Sequence, residues 1–161
     1  IYGTGFKANQ FLAPMEVIGK NGTELVSQWG GDPQAYMGVV VPQFPNFYCL
    51  YGPNSNIVVG SSIVFMVECQ MRYVSGCLKL QLENDLTALE CRPEVMKAYN
   101  KKIDVLNSKR AWGCPVVSSW YKNQKGRVTQ NWPGTHWEYW QQLLQPDQED
   151  FYLSASQHEN Q

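Results

Sequence analysis

Apolar side chains recur at intervals of three and four residues after Ser61 and Ser62, which predicts a long amphipathic helix. Either serine can cap the N-terminus of this helix. The predicted apolar stripe comprises Ile63, Val67, Met71, Val74 and Leu78. Because this stripe extends over about four turns, we expect it to face the core. Phe65 and Met66 lie off the stripe, so the helix is apolar over much of its girth near its start, and we expect its first half to be buried.

Two further helices are predicted downstream. One starts at Pro93, a residue favoured in a first helical turn, and its periodic apolar residues continue to about Ser108. The other is opened by Thr135 and Glu138, which have the spacing of a capping box, and covers residues 136–145.

Short apolar runs between turn residues predict extended segments. Residues 15–18 and 24–26 flank Asn21-Gly22, and because both turn residues tolerate positive φ, this pattern predicts a β-hairpin. A second extended stretch covers residues 35–41. Residues 47–51 are apolar throughout and bounded by turn residues, which predicts a strand buried on both faces.

Size and charge restrict the class of protein. A chain of 161 residues fits one domain. It carries 13 basic and 14 acidic residues, and since phosphate binding needs a clear positive excess, we expect no nucleic-acid partner.

No apolar run reaches the roughly 20 residues of a membrane span, so we expect no membrane association. The N-terminus does not have the pattern of a signal peptide, and five cysteines without CxxC spacing predict reduced thiols and a cytoplasmic location.

The junction from the turn at Gly52 to the helix after Ser62 has features that suit ligand binding. A helix N-terminus presents unpaired N–H groups and a partial positive charge, which favour a phosphate, a carboxylate or the electron-rich edge of a cofactor ring. The same features also fit an ordinary capped connection, and local sequence leaves both interpretations open.

Five tryptophans crowd the last third of the chain, at positions 112, 120, 132, 137 and 140. They indicate either an aromatic core or a surface that stacks on a flat ligand. Lys122, Lys125 and Arg127 lie close to Trp120 in sequence and are candidates to meet a phosphate. With only two histidines and no clustered metal ligands, we nominate no catalytic residue and no metal site.

Several short motifs follow one another along residues 1 to about 151. They are Gly3-Thr4-Gly5-Phe6, Ala35-Tyr36-Met37-Gly38, Phe44-Pro45-Asn46-Phe47, Gly52-Pro53-Asn54, Ser61-Ser62-Ile63-Val64-Phe65-Met66-Val67-Glu68, Ser118-Ser119-Trp120-Tyr121, Gly126-Arg127 and Trp132-Pro133-Gly134. Each motif is weak alone, but their order resembles the C-terminal part of flavin-dependent Baeyer–Villiger monooxygenases, in the flavin-containing monooxygenase superfamily. The arylketone-type branch is nearest.

This resemblance implies an α/β fold: the C-terminal part of a two-dinucleotide-domain FAD/NAD(P) flavoprotein, truncated at its N-terminus, with a few strands, a β-hairpin and about three helices. Residues 1–152 would be the C-terminal portion of the FAD domain, and residues 153–161 a polar tail. Family members bind FAD and NADPH and use molecular oxygen to insert an oxygen atom beside the carbonyl of a small ketone.

The resemblance also implies which residues contact the cofactors. They are Gly3, Thr4, Gly5, Asn54, Ser62, Ile63, Val64 and Trp120. The junction from turn to helix would lie against the flavin ring, and Trp120 would close over the nicotinamide cofactor. The Gly3-Thr4-Gly5 segment would lie where the FAD and NADPH domains meet.

The family's two glycine fingerprints lie upstream of the position equivalent to residue 1. We therefore expect a fragment that binds no FAD tightly and has no activity alone. Its exposed strand edges and flavin-facing apolar surface should make it self-associate or rearrange. Two other interpretations stay open. One is a non-catalytic binding module, which needs exposed tryptophans, and the other is a pseudo-enzyme that keeps the fold without a cofactor.

Overall fold

Four α-helices and one two-stranded sheet form the regular structure in the computed structural model, which describes residues 7–60 and 62–155. In chain order the elements are α1 (Leu25–Trp29), α2 (Ile63–Glu83), β1 (Leu86–Cys91), α3 (Pro93–Ser108), α4 (His136–Gln142) and β2 (Phe151–Ala155). Short 3₁₀ turns occur at Lys20–Gly22, Ala111–Gly113 and Gln148–Asp150. Among these described residues, no helix has the length and apolar character needed to cross a bilayer.

The long helix α2 begins where the sequence predicts, but its buried face differs from the predicted stripe. Ser62 caps it, with its Oγ accepting a hydrogen bond from Val64 N at 3.2 Å. The buried positions are Met66, Cys69, Gln70, Tyr73 and Cys77. The predicted stripe is wrong, because Ile63, Met71 and Leu78 are each about half exposed. Apolar residues occur around most of this helix, so their spacing alone does not define the face that packs.

Helices α3 and α4 confirm the predictions closely. Pro93 occupies the first turn of α3, which ends at Ser108. Thr135 and Glu138 form both halves of the capping box at the start of α4, which ends at Gln142, short of the predicted residue 145. Local capping interactions therefore determine the residues at which both helices begin.

The predicted hairpin is present only as a turn with one bridge. Ile18 and Glu24 form an antiparallel bridge, and Asn21 and Gly22 have φ values of 56° and 74°, as the turn requires. The second strand is wrong, because Leu25 begins α1 instead. Helix formation there allows the Leu25 side chain to become fully buried.

Residues 35–41 are not an extended stretch, which corrects the prediction. Tyr36 and Val40 bridge each other across a tight turn, in which Met37 and Gly38 have positive φ. The segment is apolar because this turn is itself buried in the core.

Residues 47–51 do not form a strand either. Cys49 makes one strand-like contact, donating from its N–H to Val39 O at 2.8 Å. Leu50 is exposed on the surface, and Tyr51 has a φ of 56°, which ends any extended conformation. An apolar run bounded by turn residues therefore predicts burial here better than it predicts backbone conformation.

Strands β1 and β2 pair antiparallel, and the sequence patterns predict neither of them. Cys91 lies opposite Phe151, and Leu89 lies opposite Leu153. The side chains of Leu89, Cys91 and Phe151 are buried, so the sheet packs by one face on the core. Strand β2 reaches Ala155.

The described residues pack into one large core and a smaller one. The large core joins α2, α3, α4 and the sheet around fully buried side chains that include Tyr73, Tyr139 and Phe151. The smaller core comprises Leu25, Trp29, Ala35, Val41 and Phe44. All five cysteines are free, and four of them are buried.

Candidate cofactor-facing site

The turn at residues 52–55 requires a glycine at its first position. A Cβ on Gly52 would overlap the Gly38 carbonyl oxygen, so a larger residue would displace the neighbouring turn. Asn54 has a φ of 57°, a left-handed conformation that asparagine tolerates better than most residues. These two residues bring the chain from the core to the N-terminus of α2.

Asn54 is buried, and the protein itself satisfies its side chain. Its Nδ2 donates to Val128 O at 2.8 Å and to Asn131 O at 3.2 Å, and its Oδ1 accepts from Arg127 Nη2 at 3.1 Å. Its backbone N–H donates to Thr129 O at 2.9 Å. The Asn54 side chain therefore stabilises the 52–55 turn through hydrogen bonds on its buried side.

The first turn of α2 lies open on the surface. Ile63 is 49% exposed and Val64 is 64% exposed, while Ser62 holds the cap. No acidic residue lies in this first turn, so no carboxylate there opposes the partial positive charge of the helix end. Ile63 and Val64 thus form an accessible apolar surface beside the capped helix N-terminus.

Trp120 is the first residue of a short hairpin, residues 120–129, that we call the Trp120 hairpin. Lys122 and Val128 form an antiparallel bridge, and Thr129 N donates to Tyr121 O at 3.1 Å. The Trp120 ring is 60% exposed and lies 4.6 Å from the Tyr121 ring, centroid to centroid.

Two neighbouring clefts share Trp120 and Ala8 as lining residues. The larger cleft has a volume of about 540 Å³ and is lined also by Lys7, Lys122 and Lys125. The smaller cleft has a volume of about 290 Å³, and its lining residues include Phe11, Tyr51, Gly52 and Asn56. The structure therefore brings Trp120 and the 52–55 turn to one cleft, whereas the first turn of α2 lies on the outer surface.

The three basic residues near Trp120 have different roles. Arg127 points into the protein, with its side chain 12% exposed beside Asp32 and Asp104, so the idea that it meets a phosphate is wrong. Lys122 Nζ donates to the Cys114 and Val117 carbonyl oxygens at 2.6 and 2.9 Å. Lys125 is exposed. Sequence proximity alone did not distinguish an inward cation from an outward one.

The tryptophans divide between core and surface. Trp132 is buried, whereas Trp120 and Trp137 are about 60% exposed. Trp137 stacks on Trp140 with ring centroids 4.7 Å apart. The prediction of an aromatic core is therefore correct for Trp132, whereas ligand stacking by the exposed tryptophans stays a prediction.

Gly3, Thr4 and Gly5, like Ser61, lie outside the described residues. Within the described residues, no group of three or more His, Cys, Asp or Glu side chains is arranged to hold a metal ion.

Comparison with curated proteins gives several relatives that are monooxygenases by name. An uncharacterized monooxygenase, y4iD, of Sinorhizobium fredii is 36% identical over 94% of this chain. The FAD-binding monooxygenase ktnD of Aspergillus niger is 35% identical over 97% of it, and a Baeyer–Villiger monooxygenase of Pseudomonas aeruginosa is 33% identical over 97%. The chain spans 23%, 26% and 30% of these three relatives. No protein-family model matches the chain.

Solved structures show the same fold. An oxidized steroid monooxygenase bound to NADP aligns with a TM-score of 0.74 at 21% identity, over 88% of this chain and 26% of that one. A closed cyclohexanone monooxygenase aligns with a TM-score of 0.72 at 20% identity, over 88% and 27%. The α/β fold is that of the C-terminal part of these enzymes. By sequence and by fold, the chain belongs with the C-terminal part of the FAD-binding and Baeyer–Villiger monooxygenases.

Proposed function

We propose that the chain forms the C-terminal part of an FAD- and NADPH-dependent monooxygenase that inserts an oxygen atom beside a ketone carbonyl. One observation carries this proposal: Gly52 and Trp120 line the same 290 Å³ cleft. The turn expected beside the flavin and the tryptophan expected beside the nicotinamide thus meet at one place. The names of the sequence relatives agree with this activity.

The first turn of α2 suits the flavin ring. Ile63 and Val64 offer exposed apolar contact, and the N–H groups of a helix start favour negative charge on a reduced ring. Asn54 contributes indirectly, because its side-chain hydrogen bonds stabilise the 52–55 turn, which precedes this helix in the chain. Bound FAD, once reduced by NADPH, would supply the chemistry that activates oxygen.

The larger cleft suits the nicotinamide cofactor. Trp120 offers an exposed aromatic face for a flat ring, and the cationic side chains of Lys7 and Lys125 line the same cleft, where they can attract phosphate. The segment from Gly3 to Gly5 ends two residues before Lys7 in the chain, and we assign it to the same cofactor-binding region.

The isolated chain is proposed to be inactive and to self-associate. Exposed apolar residues lie along α2, and apolar patches of this kind mark interaction surfaces. Light scattering at high protein concentration tests the association, because a strictly monomeric chain would contradict it. We also propose a cytoplasmic location, which the five free thiols support.

A chimera tests the proposed function. Residues 1–161 replace the matching segment of the Pseudomonas aeruginosa relative, which is 33% identical. We expect the chimera to bind FAD, seen by its visible absorbance, and to oxidise NADPH in a ketone-dependent manner. Trp120→Ala should retain FAD but raise the KM for NADPH.

Trp137→Ala provides the matched control, because Trp137 is as exposed as Trp120 but lines neither cleft at the Trp120 hairpin. A chimera that binds FAD but converts no ketone would contradict the proposed reaction. Equal kinetics for the two tryptophan variants would contradict the assigned role of Trp120.

A further inference from the structure

The guanidinium of Arg127 uses all five of its N–H donors within the protein. Nε donates to Asp104 Oδ1 at 2.8 Å, and Nη1 donates to Asp32 Oδ1 at 3.3 Å and to Pro33 O at 3.0 Å. Nη2 donates to Asn54 Oδ1 at 3.1 Å and to Asn100 Oδ1 at 2.9 Å. One side chain therefore joins the Trp120 hairpin to α3, to the loop after α1 and to the 52–55 turn.

Asn123 completes this connection from the other side of the hairpin. Its Oδ1 accepts from the backbone N–H of Arg127 at 3.0 Å, and its Nδ2 donates to Asp32 Oδ1 at 2.8 Å. Asp32 thus accepts hydrogen bonds from both residues, and the tip of the hairpin is held against the protein. Burial raises the pKa of Asp104, and Arg127 partly offsets this effect.

We propose that Arg127 is a positioning residue that fixes the Trp120 hairpin relative to the 52–55 turn. The roles of these two elements toward nicotinamide and flavin rest on the proposed function, but their mechanical connection does not. The planar fork of arginine matters here, because several acceptors in different directions must be reached at once. Lysine has the charge without that geometry.

A rival explanation is that backbone hydrogen bonds alone hold the hairpin. Asn54 N donates to Thr129 O at 2.9 Å, and Asn56 N donates to Gln130 O at 2.8 Å. These bonds secure the end of the hairpin near residue 130, whereas Arg127 and Asn123 secure its tip. If the backbone bonds suffice, replacement of Arg127 leaves the hairpin unchanged. If Arg127 positions the hairpin, its replacement loosens the hairpin tip.

Hydrogen exchange on the full chain distinguishes them without any cofactor. We expect Arg127→Gln to accelerate exchange at Asn123 N and Thr129 N by about tenfold or more, while α4 keeps its protection. Arg127→Lys should behave like Arg127→Gln. Lys101→Gln, which removes one exposed charge from α3, should leave the hairpin unchanged.

A spectroscopic signature separates positioning from general stabilisation. The near-ultraviolet circular dichroism of Trp120, taken as the difference from a Trp120→Phe form, should lose amplitude in Arg127→Gln at temperatures where the chain stays folded. If Arg127→Gln does not fold, Asp104→Asn removes only one charged acceptor, and a smaller change at the same amides is expected.

Two results would overturn the inference: unchanged exchange in the hairpin of Arg127→Gln, or a lysine variant that matches the parent chain. The proposed function fails independently, when the chimera binds FAD without converting ketone. An active chimera together with an unaltered hairpin would refute the positioning role alone.

Discussion

Two substitutions of Asn54 distinguish the stability contributed by its side-chain hydrogen bonds from the stability that depends on its left-handed backbone conformation. Asn54→Gly removes two bonds to backbone oxygens and one from the Arg127 guanidinium, but glycine tolerates the φ of 57°. At about 1 kcal/mol for each neutral bond and about 2 kcal/mol for the charged one, the loss is about 4 kcal/mol. Asn54→Ala should lose about 1 kcal/mol more, because alanine is strained in the left-handed region.

The free energy of unfolding of each variant is measured by urea titration, with tryptophan fluorescence as the signal. A loss of about 4 kcal/mol corresponds to a fall in Tm of roughly 8 to 16 °C for a domain of this size. Asn21 offers a control, because it has a similar φ of 56° but is exposed. Asn21→Gly should be nearly neutral and Asn21→Ala should cost about 1 kcal/mol. A loss below about 1 kcal/mol in Asn54→Gly would refute the structural role assigned to Asn54.

Three further outcomes are expected from local chemistry. Ser62→Ala removes the cap of α2 and should lower the free energy of unfolding by about 1 kcal/mol, measured by urea titration of the helical circular dichroism; an unchanged midpoint would count against the cap. Hydrogen bonds from the Thr135 backbone N–H and hydroxyl lower the pKa of Glu138, so the capping box should stabilise α4 above the ordinary glutamate pKa and be lost as pH falls through the lowered value; Glu138→Gln should abolish this pH dependence, whereas Thr135→Ala, which keeps the backbone N–H, should only reduce it. Burial raises the pKa of Cys49 to about 11 and of Cys77 to about 12, so a thiol reagent at pH 8 should modify partly exposed Cys114 well before the buried thiols, and equal rates would indicate an opened core.

The helix starts could be predicted from sequence because their determinants are local. Ser62, Pro93 and the pair Thr135 and Glu138 each act within one turn of the helix they begin. The pairing of β1 with β2 could not be predicted in this way, because the paired residues, such as Cys91 and Phe151, are far apart in sequence.

The candidate site was predictable in part. The motif order located the 52–55 turn and Trp120, and the structure brings Gly52 and Trp120 to one cleft. The sequence did not indicate that Arg127 points inward, because its acceptors come from three separate segments that only the fold assembles. Long-range polar networks of this kind have no signature in sequence spacing.

We propose that this chain supplies cofactor-facing elements that cannot hold FAD without the nucleotide-binding parts of a flavoprotein. The most direct test mixes the purified chain with equimolar FAD, passes it through gel filtration, and records its mass and its absorbance between about 350 and 500 nm. We predict a colourless chain with the mass of the polypeptide alone. Retention of stoichiometric FAD would contradict the claim and show that these elements suffice to bind the flavin.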